Sequence, residues 1–317
     1  MNQVIISSKS NPIIKECLKI RTKYSKYFKK CFPFSRDSTT NNNSVNEILK
    51  SDQDDHLHRF VSLPLLMNGS KIITESFEKY NIHPKWLFYR HDKPLLLKDK
   101  QNQIQYFPVT DNLINYICGD IVSNDGYCAV YDNYHPQKLF RPRKRNIYIY
   151  CYKISDPNNL GSIIRMSFGF DISAIFLSED CVSPFTERCI RSSRNYIMNI
   201  PVFHLPLEEY KTIIHEQLKC DCTLIADASS YQKHNIKSIL EMNHSQRTLK
   251  NLCLIMGNEH HGLMYQDQEF HTVMSQIPNK EFVYIPMRNN IDSFSVSHAA
   301  GILMYELSNY MMTDSIR

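Results

Sequence analysis

Ile147-Tyr148-Ile149-Tyr150-Cys151-Tyr152, followed by the polar turn Asp156-Pro157-Asn158-Asn159 and by Leu160-Gly161-Ser162-Ile163-Ile164-Arg165, is the stretch that sets the fold class. An apolar run of strand length passes through a turn into apolar residues at helical spacing. The alternation repeats downstream. Strands are predicted at Ala174–Leu177, Thr223–Ala226, Leu252–Met256 and Phe282–Ile285. Helices are predicted at Gly161–Phe170, Thr186–Met198, Leu207–Leu218, Ile236–Met242 and Ser293–Met311. Near-continuous apolar strands alternating with helices imply an α/β domain whose parallel sheet is covered on both faces.

In such a sheet, ligands bind beyond the carboxyl ends of the strands. Two segments fall at those ends: Ile255-Met256-Gly257-Asn258-Glu259-His260-His261-Gly262-Leu263, and Ile285-Pro286-Met287 leading into Asp292-Ser293-Phe294-Ser295-Val296-Ser297. The chain has only 8 glycines among 317 residues; Gly161 lies in the Asp156–Arg165 stretch, and Gly257 and Gly262 lie in the first of these segments. Glycine is expected where the backbone turns tightly or lets a ligand come close. Gly257 would free a backbone amide and carbonyl for contact, and Glu259 would set a carboxylate beside it. The bland reading is a strand-to-helix turn with a surface acid. Asn159 can cap the helix that follows, and Arg165 carries a planar fork suited to phosphate. The bland reading there is an ordinary cap and a solvated arginine. His260 and His261 read as loop residues, because nothing nearby completes a metal-ligand spacing.

Hydrophobic residues make up 42% of the chain and charged residues 22%, as in an ordinary globular protein. No apolar run approaches the about 18 residues of a membrane-spanning helix, so no membrane partner is expected. The 10 cysteines contain no C-x-x-C pair, so no metal is expected, and a reducing compartment is the simplest account. No G-x-G-x-x-G, P-loop or G-x-S-x-G motif follows a strand, which argues against dinucleotide-binding, nucleotide-hydrolysing and serine-hydrolase sites.

The net charge of +5 is unevenly spread. Between Met1 and Arg36, Lys9, Lys15, Lys19, Arg21, Lys23, Lys26, Lys29, Lys30 and Arg36 face a lone acid, Glu16, with Tyr24, Tyr27, Phe28, Phe32 and Phe34 interleaved. A second cluster is Arg141-Pro142-Arg143-Lys144-Arg145. Such clusters suit a phosphate backbone with base stacking, and equally a solvated face. Lys15, Lys19, Arg21, Arg141, Arg143 and Arg145 are the RNA-binding candidates.

Residues 1–133 read as a smaller α/β domain. Asn11-Pro12 opens a helix, residues 37–58 are a polar disordered insertion, Ser70–Tyr80 is helical, and Lys85–Tyr89, Ile104–Phe107 and Tyr127–Tyr131 are strands. Residues 134–145 form a basic linker, and 146–317 the second domain.

The three segments, in order and spacing, resemble the three motifs of the SpoU (TrmH-like) RNA ribose 2′-O-methyltransferases of the SPOUT superfamily. The stretch Ser8-Lys9-Ser10-Asn11-Pro12-Ile13-Ile14-Lys15 resembles the start of that family's RNA-recognition domain, which is similar to ribosomal protein L30e. Ser183-Pro184-Phe185 through Ile200-Pro201-Val202 resembles the segment after its first motif, with the usual small Ala-Gly pair replaced around Arg194-Asn195. The resemblance implies an L30e-like α/β domain followed by a SPOUT α/β domain with a trefoil knot. It implies S-adenosylmethionine, touched by backbone at Gly257, Ile285 and Phe294, and a homodimer through the C-terminal domain. Asn159, Arg165, Glu259 and Ser295 become the catalytic candidates, with Arg165 orienting ribose and phosphate. The implied reaction is methylation of a ribose 2′-hydroxyl, in large-subunit rRNA by the two-domain layout. A non-catalytic RNA-binding relative, a tRNA 2′-O-methyltransferase and a small-molecule α/β enzyme stay open beside it. The basic, acid-poor start suits a mitochondrial protein, with the cytoplasm as the alternative. One departure stands out. The third motif usually reads Ser-Leu-Asn-Val and here reads Ser293-Phe294-Ser295-Val296, which implies cofactor binding with slower methyl transfer.

Overall fold

The computed structural model describes residues 5–31, 63–99, 103–119, 124–134, 136–227, 234–236, 238, 249–257, 267–289 and 293–313. The 37–58 insertion and most of the Ile236–Met242 helix expectation lie outside them.

The first unit opens with α1 (Pro12–Cys31). Asn11 starts it as expected: its Oδ1 accepts from the Ile13 N–H at 3.0 Å. Then come β1 (Leu63–Asn68), α2 (Ser70–Tyr80), β2 (Trp86–Arg90), β3 (Gln105–Val109), α3 (Asp111–Cys118) and β4 (Tyr127–Tyr134). The sheet has the order β1-β4-β2-β3. β4 pairs antiparallel with β1 and β2, and β2 pairs parallel with β3. The stretch read as linker contains a short helix, α4 (Pro136–Leu139), and Phe140 behind it is buried.

The second unit holds β5 (Asn146–Tyr152), α5 (Pro157–Gly169), β6 (Ala174–Leu177), α6 (Glu187–Ser192), β7 (Val202–His204), β8 (Cys222–Ala226), β9 (His234–Asn235), β10 (Asn251–Gly257), α7 (Gln268–Ser275), β11 (Lys280–Tyr284) and α8 (Val296–Thr313). Its sheet is parallel throughout, in the order β7-β6-β5-β10-β8-β11-β9. The chain steps outward from β5 to β7, crosses back to β8, and fills the gap beside β5 with β10. The strand order therefore reverses between β5 and β10, the kind of position at which open α/β sheets bind ligands.

The Ile/Tyr alternation of β5 sorts its side chains between two buried layers. Ile147, Ile149 and Cys151 join one core, and Tyr148, Tyr150 and Tyr152 the other. The tyrosine layer is closed by Tyr210, Ile213 and Ile214 and by Phe270 and Met274 of α7. The opposite layer takes α5, α6 and α8 and continues without a break into the first unit. Tyr134 carries that continuity: its ring meets Phe185 at 5.5 Å and its hydroxyl accepts from the Val202 N–H at 3.3 Å.

Two predicted helices take other forms. Thr186–Met198 breaks after α6, because Arg194 and Asn195 adopt left-handed φ of 49° and 62°. Leu207–Leu218 becomes a short tight turn followed by π-helical geometry over Lys211–Gln217. The cause is visible at Thr223. Tyr210 Oη lies 2.9 Å and His215 Nε2 2.8 Å from its Oγ1, so residues five apart must point the same way.

Candidate functional site

The site is built where α5 and α8 begin. Asp156, in extended backbone, caps α5: its Oδ1 accepts from the Asn159 N–H at 2.8 Å, with Pro157 in the first turn. The expectation that Asn159 is the cap is thus corrected by one turn. Asn159 lies inside the helix, and its carboxamide is released for another task. Its Oδ1 accepts from Ser297 Oγ at 2.9 Å, joining segments 138 positions apart.

Ser295 starts α8 in the same way. Its Oγ accepts from the His298 N–H at 3.4 Å, and its carbonyl accepts from the Ala299 N–H at 3.0 Å. The same hydroxyl lies 2.6 Å from His298 Nδ1 and 3.1 Å from Ser297 Oγ. Asn159, Ser297, Ser295 and His298 form one hydrogen-bonded chain. Sequence reading gave Ser297 and His298 no role. Their only signal was spacing, a serine cap with histidine three residues on.

The two helices run side by side in one direction. Met166 packs at Gly301, Ser167 Oγ donates to Met304 Sδ at 3.4 Å, and Phe170 meets Tyr305 at 6.1 Å. Their N-termini therefore coincide, and two positive dipole ends point the same way.

Gly257, half-buried, ends β10 and pairs in register with Tyr152 at the end of β5. Ile285, half-buried, follows β11. With β8 between β10 and β11, the two sit on the carboxyl edge of three consecutive strands. Phe294 is 38% exposed next to Ser295. Arg165 is exposed on α5. Among the described residues, no ion pair or hydrogen bond engages its guanidinium. Glu259, His260 and His261 lie outside the described residues.

Gly161 has a different task from the one expected of it. A Cβ there would meet Ser192 Oγ at 1.8 Å, Cys189 O at 2.4 Å and Ser193 N at 2.9 Å. It lets α6 press onto α5.

A bridge at the rim was not anticipated. Asp267 caps α7 through the Phe270 N–H (3.1 Å) and accepts from Tyr152 Oη (2.8 Å), the last residue of β5, and from Lys153 Nζ (2.7 Å) just past it. Burial works to raise its carboxyl, but the hydrogen bonds from Lys153, Phe270 and Tyr152 outweigh it, so its pKa falls below the usual value. A carboxylate depressed by folding stabilises above its unfolded pKa of about 4 and loses that contribution as pH falls through the folded value. Asp267→Ala is expected to cost about 2 kcal/mol at neutral pH, from the lost cap and a partly screened ion pair. Urea midpoints of both proteins should converge toward pH 3; a gap as wide there as at pH 7 would rule the linkage out.

The basic clusters are only partly free. Lys15 and Lys19 are exposed, Lys19 lying 3.2 Å from Glu16. Arg21 instead caps the end of α3, donating to Tyr116 O at 2.8 Å and Ile117 O at 3.4 Å. Arg143 is paired with Asp171, and Arg145 donates to Met311 O on α8 at 3.2 Å. Arg141 is exposed, its Nη1 donating to Phe140 O at 3.4 Å. The 141–145 cluster thus also clamps the segment before β5 onto the second unit.

Residues 146–305 match the model of the SpoU rRNA Methylase family, which covers the parallel sheet, both helix starts and the chain joining them. The chain belongs to this family. Its architecture is similar to that of an AdoMet-bound rRNA methyltransferase from Sinorhizobium meliloti, with a TM-score of 0.67 at 17% identity, over 97% of this chain and 98% of that one. In sequence it resembles the mitochondrial rRNA methyltransferase 3A of Danio rerio, 21% identical over 80% of this chain and 66% of the relative. It also resembles the 23S rRNA (guanosine(2553)-2'-O)-methyltransferase RlmP of Bacillus subtilis, 24% identical over 68% of this chain and 80% of that protein. The chain spans just under two thirds of the zebrafish relative's length.

Proposed function

We propose that the protein transfers a methyl group from S-adenosylmethionine to a ribose 2′-hydroxyl of rRNA. The observation that carries the reading is the hydrogen bond from Ser297 to Asn159, which unites the first and third SpoU motifs at one end of a parallel sheet. The names of the rRNA-methylating relatives support the substrate class.

The donor fits the strand ends. Gly257 and Ile285 offer half-buried backbone there, and Phe294, next to Ser295, is an exposed ring. When bound, S-adenosylmethionine supplies a methyl carbon already activated by its sulfonium. The chain's own residues must align the hydroxyl and remove its proton. Arg165 grips the neighbouring phosphate and the ribose. Asn159, fixed by Ser297, orients the sugar. The Ser295 hydroxyl, 2.6 Å from His298 Nδ1 and 3.1 Å from Ser297 Oγ, holds the start of α8 beside Asn159.

In the same reading the second unit is a SPOUT domain closed by a trefoil knot and the first is L30e-like, presenting Lys15 and Lys19 to RNA. The protein is a homodimer through α8, supported by Ile302 and Tyr305 at 40% and 53% exposure on that helix. Sedimentation equilibrium tests this. The mitochondrial names of relatives support a mitochondrial location.

The test is tritium transfer from labelled S-adenosylmethionine to total RNA, followed by mapping of the resistant ribose. Gly257→Val should lower S-adenosylmethionine affinity at least about 100-fold, since a branched side chain would stand where backbone meets the ligand. Unchanged affinity by calorimetry would remove the donor from this place. Ser295→Asn should raise methyl transfer about fivefold, the value of one hydrogen bond of about 1 kcal/mol. If neither form methylates any RNA while both bind it, the non-catalytic reading replaces this one.

A further inference from the structure

Most arginines among the described residues are spent inside the fold. Arg21 donates to Tyr116 O and Ile117 O. Arg90 pairs with Asp92 at 2.6 Å and Asp111 at 3.2 Å, Arg143 with Asp171, and Arg194 with Glu75 at 3.7 Å. Arg188 and Arg191 on α6 are different. Both are exposed, and among the described residues no ion pair or hydrogen bond engages either guanidinium. They share that state with Arg165 on α5. Arg191, in the last turn of α6, complements the negative end of its helix. Arg188 has no such local reason. It stands in the first turn, at the positive helix end, three residues from a second cation on the same face, and both placements are unfavourable. A residue that breaks local rules without a compensating contact marks a place used for something other than stability.

The face of α6 that carries these arginines meets the first turn of α5. Ser192, four residues from Arg188, donates to Asn158 O at 3.2 Å and Pro157 O at 3.4 Å. Residues four apart on a helix share a face, so Arg188 and Ser192 point to the same side. Cys189 O and Ser193 N lie against Gly161, where α6 crosses α5. Arg165 is one turn beyond Gly161 on that side of α5, and Asn159 belongs to the turn before the crossing. The carboxylates that share the α6 surface with Arg191 are Asp125 and Glu187, and both are turned to other groups. Asp125 accepts from the Ser70 N–H at 2.7 Å and from Ser70 Oγ at 2.6 Å. Glu187 Oε2 lies with Arg21 Nη1 against Gly119.

We propose that Arg188 and Arg191 form a phosphate track for the RNA strand that flanks the reacting ribose, continuing from the phosphate gripped by Arg165. The inference rests on the reading of the chain as an RNA methyltransferase and names the surface on which the substrate lies. A guanidinium fork matches phosphate geometry and keeps its charge. Exposure decides for a strand over a small anion. An open row of cations holds a polyanion by releasing its counterions, and needs no enclosed site. Such contacts set register and carry no sequence information. The surface is not the one to which the basic sequence clusters pointed, since Arg21, Arg143 and Arg145 are turned into the fold. Because Ser192 fastens α6 to the turn that carries Asn159, a strand held on α6 is placed directly against the site.

The test uses the full-length protein with labelled oligo(U) and oligo(A), followed by anisotropy over a series of KCl concentrations. Arg188→Gln combined with Arg191→Gln should weaken both oligonucleotides equally, by about tenfold at low salt. It should flatten the slope of log affinity against log salt by about 1.4, the value for two single-strand phosphate contacts. Arg188→Lys combined with Arg191→Lys keeps the charges and should restore most of the slope. In tritium transfer to total RNA the Gln pair should raise KM, with a far smaller effect on kcat than Arg165→Ala. S-adenosylmethionine affinity, measured by calorimetry, should not change; its loss in the Gln pair would make the two arginines structural. An unchanged slope would make them a solvated face, and a loss confined to one oligonucleotide would mean base reading in place of a phosphate track. If the wild type methylates RNA and the Gln pair matches it in slope and KM, the track fails and the methyltransferase stands. If the wild type transfers no methyl group, yet oligonucleotide binding and its salt slope need Arg188 and Arg191, the reverse holds.

Discussion

Replacing Gly161 by alanine lowers stability by about 3 kcal/mol, the upper range for overpacking a core. The added methyl would sit 1.8 Å from Ser192 Oγ and 2.4 Å from Cys189 O. Rotating Ser192 removes the first clash but not the second, which is backbone of α6. The two helices must separate, and the hydrogen bonds from Ser192 to Pro157 O and Asn158 O stretch with them. A melting point lower by roughly 6–12 °C is expected for a chain of this size. Gly161→Ala with Ser192→Gly should recover only part of the loss. A melting point within a degree of wild type would mean that α5 and α6 are not in this contact.

Arg165→Ala should reduce turnover about 100-fold, the usual loss on deleting one charge-stabilising donor. Its side chain is exposed, so stability should change by less than about 0.5 kcal/mol. S-adenosylmethionine affinity should stay within about twofold, because the proposed partners are the ribose and its phosphate. Normal turnover with weakened cofactor binding would place Arg165 against the donor and overturn the assignment.

The second unit was more legible than the first for a physical reason. A parallel strand buried on both faces needs an apolar run, and five such runs stood out between Ile147 and Ile285. The Asn11-Pro12 helix start was equally readable, since Asn11 caps locally. The helix Asp111–Cys118 and the strands Leu63–Asn68, Val202–His204 and His234–Asn235 were not predicted. They are short, and the partners that hold them are distant in sequence. The π-helical turn was illegible too, because only Thr223, across the core, asks Tyr210 and His215 to point the same way.

At the site, residue types came from sequence and partners came from packing. Asn159, Arg165, Gly257, Ile285 and Ser295 could be named from motifs and strand ends. That Asp156 rather than Asn159 caps α5 depends on which carboxyl or amide reaches the amide proton. That Ser297 holds Asn159 depends on α5 and α8 running in parallel. Arg21, Arg143 and Arg145 read from sequence as RNA-binding candidates or a solvated face, and the tertiary structure turned them toward backbone carbonyls and Asp171.

The sequence by itself determined the alternation of strand and helix, the parallel sheet and the three chemical segments, because burial periodicity and turn chemistry act over a few residues. Only the tertiary structure decided the insertion of β10 beside β5, the shared core of the two units, the chain from Asn159 to His298, and which arginines find partners. Each depends on contacts between residues far apart in the chain, whose free energy exists only once the intervening segments are packed.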